Sequence, residues 1–67
     1  MAALRDHSGV VNGVMLHWYW ETSWKCWVIT AYDEDGNQIG ESQTCANSRV
    51  LEWTKEQVAK DAKEVMS

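Results

Sequence analysis

Cys26, Cys45 and His17 are the side chains best suited to holding a metal or attacking a substrate, since thiolate and imidazole are the donors that zinc sites and Cys-His nucleophilic pairs use. Their spacing contains no paired Cys-x-x-Cys, and no fourth ligand stands beside them, because His7 falls in an N-terminal segment, 1–11, expected to be flexible or irregular. The reading is therefore two semi-buried reduced cysteines with no cofactor, able to bridge across strands after oxidation. A zinc or thiol site at His17, Cys26 and Cys45 is the alternative. Asp33-x-Asp35-x-Asn37 begins like a calcium loop, but its sixth position is Gln38 and its twelfth Thr44, where the sharp turn needs Gly and the ion needs Glu. The chain has no Gly-rich phosphate loop and no nucleophile elbow, so an enzyme is not expected.

The rest of the chain must position whatever these residues do. Sixty-seven residues, 45% of them apolar, make one small domain over 1–67. A chain of this size buries only about 60% of its unfolded surface, enough for a thin core of one helix on one sheet. Six Lys and Arg against ten Asp and Glu give a formal charge of −4. That balance repels phosphate backbones and argues against direct nucleic-acid binding. No leader pattern is visible, and the longest apolar-rich stretch, 14–20, is interrupted by His17, so neither secretion nor membrane insertion is expected and the cytoplasm is the expected compartment.

Val14, Leu16, Trp18 and Trp20 alternate with Met15, His17, Tyr19 and Glu21, the period of a strand. Thr22-Ser23 separates this run from a second, Trp24 to Tyr32, rich in aromatic and β-branched residues. The turn cluster Asp33–Asn37 then leads into a more polar third strand, Gln38 to about Gln43. From Asn47 or Ser48 to Val65, the positions Val50, Leu51, Thr54, Val58, Ala62 and Val65 recur at helical spacing between charged Glu52, Lys55, Glu56, Lys60, Lys63 and Glu64. Asn47, Ser48 or Thr44 could cap this helix. The expected fold is α+β: a three-stranded antiparallel sheet with one C-terminal amphipathic helix packed on one face.

Pairing Glu21 with Trp24 and Asp33 with Gln38 puts Val14, Leu16, Trp18, Trp20, Trp27, Ile29, Ala31, Gly40 and Ser42 under the helix. Met15, His17, Tyr19, Trp24, Cys26, Val28, Thr30, Tyr32, Ile39, Glu41, Gln43 and Cys45 fall on the other face, with Cys26 directly opposite Cys45. One helix cannot cover both faces, and this second face is too apolar for plain solvent, which points to a partner or to self-association. Met15, Tyr19, Trp24 and Tyr32 form the expected contact patch, with Glu34 and Asp35 at its rim. Trp53 lies about 120° from the helix's apolar stripe, so it either wraps over a sheet edge or stands exposed as a further contact. The acidic hairpin Asp33, Glu34, Asp35 and Glu41 suits a basic groove on a nucleic-acid-handling protein.

Trp24-Lys25-Cys26-Trp27, then Asp35-Gly36-Asn37-Gln38-Ile39-Gly40, then Ser48 and the helix, resemble the hairpin-then-helix layout of small phage-encoded accessory proteins, including anti-CRISPR inhibitors. The resemblance covers about two-thirds of the chain and is one of size, acidity and layout. It implies a protein-binding inhibitor that docks on a larger host defence complex and blocks it, working in the host cytoplasm. The rival reading is a homodimer or other homo-oligomeric accessory protein that buries the same sheet face.

Overall fold

The computed structural model describes residues 7–66 and is α+β, with an antiparallel sheet and a C-terminal helix. The sheet has four strands rather than three: β1 (His7–Val11), β2 (Val14–Glu21), β3 (Cys26–Tyr32) and β4 (Gln38–Cys45), in the order β1-β2-β3-β4. The segment expected to be irregular is thus a strand from His7 onward, and residues 1–6 of it lie outside the described residues. Asn12 and Gly13 explain the extra strand. Both have positive φ, 52° and 82°, as a two-residue type I′ turn requires, and the turn closes β1 onto β2 with Val11 opposite Val14.

Two further turns correct the expected register. Thr22-Ser23 is unsuited to a two-residue hairpin loop, because a type I′ turn needs positive φ at both positions and a type II′ turn at the first, where the β-branched Thr22 would stand. The loop lengthens to residues 22–25, Lys25 takes the positive φ of 53°, and Glu21 pairs with Cys26 instead of Trp24. That shift is even, so the faces of β2 and β3 stay as expected, with Trp18 opposite Ile29 and Leu16 opposite Ala31. At the next turn, Asp33 leaves the strand. Its Oδ1 accepts the Asp35 and Asn37 N–H groups at 2.9 and 2.8 Å, and Gly36 takes a φ of 86°. Pairing therefore starts at Tyr32 with Gln38, one residue from the expected register, and every side chain of β4 changes face. Ile39 and Cys45 enter the core, while Ser42 turns out to share a 2.7 Å hydroxyl hydrogen bond with Thr30 on the other face. A bulge opposite Thr30 carries β4 past this point.

Asn47 is the cap: its side chain accepts the Arg49 N–H at 2.8 Å and opens a 3-10 turn, Ser48–Val50, that runs into α1 (Leu51–Met66). The stripe of α1 that meets the sheet is Leu51, Thr54, Lys55, Val58, Ala59 and Ala62, spaced three and four residues apart. Val50 and Val65, expected in the core, are exposed at the two ends. Lys55, expected in solvent, is buried. Its ammonium lies 3.8 Å over the Trp18 ring and 3.0 Å from Glu52 Oε2, so the buried charge keeps both a π face and a carboxylate. Val14, Leu16, Ile29, Ala31, Ile39 and Cys45 of the sheet close against Val58, Ala59 and Ala62 to make the core.

Leu16 is fully buried at the centre of this seam. Leu16→Ala is expected to lower the unfolding free energy by about 2–5 kcal/mol in urea titrations. Trp53→Ala, on the exposed side of α1, is expected to change it by no more than about 0.5 kcal/mol.

Candidate partner-binding face

The helix occupies one face of the sheet, and the alternation of β2 and β3 puts their remaining side chains on the other. There Val10 stands opposite Met15, Met15 opposite Tyr32, His17 opposite Thr30 and Tyr19 opposite Val28. The rings close over the middle strand: His17 lies 6.2 Å from Tyr19 and 6.5 Å from Tyr32, centroid to centroid. Val28 and Thr30 are buried beneath them with no helix above. At the turn end, by contrast, apolar surface is open, with Val10 65% and Met15 43% exposed.

Of the residues expected to contact a partner, Met15, Tyr32, Glu34 and Asp35 come together around one groove of ≈ 450 Å³, and Tyr19 shares their face. Trp24 does not lie on the sheet, because the lengthened loop carries it to the far hairpin tip, where it is 67% exposed. Trp53 stands exposed on α1, the second of its two expected positions. Val10 and Met66, which also line the groove, were not expected there. The Asn12-Gly13 pair signals Val10, since the hairpin it dictates sets Val10 across from Met15.

The thiols are not a pair. Cys45 lies opposite Trp27 on the helix side, whereas its neighbour Cys26 points to the other face, so the expected Cys26–Cys45 juxtaposition fails with the β4 register. His17 shares a face with Cys26 but pairs with Thr30, four residues along β3 and roughly 13 Å away at strand rise. The register does not bring His17, Cys26 and Cys45 together. Among the described residues, no three His, Cys, Asp or Glu side chains are placed to hold a metal ion. The Cys45 thiol instead donates to the Asn47 carbonyl at 3.0 Å, beside the helix cap.

Among the described residues no helix is long and apolar enough to cross a membrane. Comparison with protein families, with curated proteins and with solved structures finds no match to this chain.

Side chains on opposite faces of a sheet cannot be bridged without moving the backbone. Mild oxidation followed by alkylation in denaturant is expected to leave Cys26 and Cys45 without an internal disulfide, as read from intact mass. An internally bridged monomer would contradict the β4 register.

Proposed function

We propose that this chain is a non-enzymatic protein-binding module of the inhibitor kind, docking its helix-free sheet face and acidic turn onto a basic surface of a larger assembly. The division of charge carries the reading. Ser48–Met66 holds Arg49, Lys55, Lys60 and Lys63 against Glu52, Glu56, Asp61 and Glu64, and is balanced. The sheet and its turns hold Lys25 against Glu21, Asp33, Glu34, Asp35 and Glu41, while Arg5 and Asp6 offset each other. The whole formal charge of −4 therefore belongs to the half of the molecule that also presents Met15, Tyr19 and Tyr32.

An apolar centre with an acidic rim complements an apolar surface ringed by Arg and Lys, and like charge disfavours a second copy of the same face. Proteins that handle nucleic acid expose such basic surfaces, since neutralising phosphates is what they are built for. Blocking needs no chemistry from the module, only a fit that covers the partner's working surface.

Immobilised wild type is compared with Tyr19→Ala/Trp24→Ala, shown folded by circular dichroism, for capture of proteins from host lysate at low and high salt. Expected is a partner with a basic surface, held at least tenfold less well by the variant and weakened by salt, because exposed charges more than about 10 Å apart are screened at 0.1 M. Capture indifferent to both the substitutions and salt would contradict the reading, as would a stable dimer in sedimentation equilibrium.

A further inference from the structure

We infer that the groove at the turn end of the sheet receives one arginine side chain projected by the protein partner, an inference that rests on the docking reading above. Three separate pieces of chain build this groove. Val10 and Met15 flank the Asn12-Gly13 turn, Tyr32 leads into Glu34 and Asp35, and Met66 ends α1. Its ≈ 450 Å³ falls within the roughly 300–1,000 Å³ of ordinary ligand sites. The walls are thioether, aromatic and aliphatic, and one rim is anionic.

The two rim carboxylates are available. Asp33 spends its Oδ1 on the turn, but among the described residues no hydrogen bond or ion pair engages the Glu34 or Asp35 carboxylate. The C-terminal end of α1 at Met66 adds the negative pole of the helix dipole. Lys63 lies against Gly13, its Nζ 4.0 Å from where a Cβ there would sit.

A groove lined by apolar side chains and by two unengaged acids selects among side chains. An aliphatic guest would leave both carboxylates without a counter-charge, and an acidic or phosphorylated one would be repelled. Lysine carries a compact, strongly hydrated ammonium that gives up little water to an aromatic wall. Arginine is planar and weakly hydrated, stacks on a ring such as Tyr32, and offers a fork of donors to carboxylates. Its three methylenes can lie along Met15 and Met66, whose thioethers adapt to irregular contacts.

The test titrates the full chain, labelled at backbone amides and methionine methyls, with acetyl-Gly-Leu-Arg-Leu-Gly-amide while NMR spectra are recorded. Saturable shifts are expected at the Met15 and Met66 methyls and the Glu34–Gly36 amides. The citrulline peptide, the same shape without the charge, should bind at least tenfold more weakly, and the lysine peptide several-fold more weakly. Glu34→Gln/Asp35→Asn, which leaves the Asp33 turn intact, should lose tenfold for the arginine peptide. Equal binding of arginine and citrulline peptides, shifts centred elsewhere, or no saturable shift at millimolar peptide would overturn the inference. Should that happen while Tyr19→Ala/Trp24→Ala still abolishes capture of a partner, the groove assignment falls and the docking reading stands. Arginine-selective shifts together with capture indifferent to both Tyr19→Ala/Trp24→Ala and salt would support the groove and defeat the docking reading, since neither residue lines it.

Discussion

Among the described residues a single 16-residue helix has to seal a four-stranded sheet, and it can reach only one of the two faces. Most features of the molecule follow from that shortage of cover. Ala59 and Ala62 let the helix backbone sit close on Leu16 and Ile29, so a thin core still excludes water along the central strands. Where the helix stripe reaches the Trp-rich end of the sheet, its next side chain is Lys55. The lysine lies over Trp18, and Trp27 Nε1 donates to Ser48 Oγ at 3.1 Å, so the edge of the core is finished with groups that have one apolar and one polar side. Trp20 packs edge-on against Trp27 at 5.6 Å, and His7 stacks on Trp18, extending the same belt outward.

The other face has no helix and solves the problem differently. Half-buried His17, Tyr19 and Tyr32 roof over Val28 and Thr30, and the Thr30–Ser42 hydroxyl pair satisfies the buried polar atoms there. This roof does not extend to the turn end, where Val10 and Met15 remain open beside Glu34 and Asp35. An open apolar strip next to carboxylates that have no partner among the described residues contributes nothing evident to folding. It is also the part of the surface where the charge excess lies, and for that reason the docking reading centres on it.

Much of this was legible in the residues. The alternation from Val14 to Glu21 identified both faces of β2, and an even register shift left β3 as expected. The stripe of α1 is legible at Leu51, Thr54, Val58 and Ala62, whereas Val50 and Val65 stand exposed and Lys55 and Ala59 take buried places that the spacing of apolar residues does not mark. Two features were read wrongly for physical reasons. Asn12-Gly13 between Val11 and Val14 is a strong hairpin signal, and an expectation of irregular chain over 1–11 passes over it and over β1 and Val10 with it. At β4, a literal reading of the turn kept Asp33 in the strand, although an Asp whose carboxylate caps two backbone N–H groups belongs to the turn. Burial of Ile39 decides that register, and the thiol pairing of Cys26 with Cys45 falls with it. Trp24 could not be placed without knowing the loop length, which depends on where a positive φ can be accommodated, here Lys25.

Docking by the helix-free face requires that the sheet face of Met15 and Tyr32 be open in the folded chain while the face of Leu16 and Ile29 is sealed. Paramagnetic relaxation by a soluble, neutral gadolinium chelate measures this most directly, residue by residue, on a methyl- and aromatic-labelled sample across a range of protein concentrations. Expected is strong, concentration-independent broadening of the Met15 methyl and Tyr32 ring signals, with the Leu16, Ile29 and Ala59 methyls protected. Met15 and Tyr32 signals as protected as those of Leu16 would mean that something already covers the face, and would contradict the docking reading.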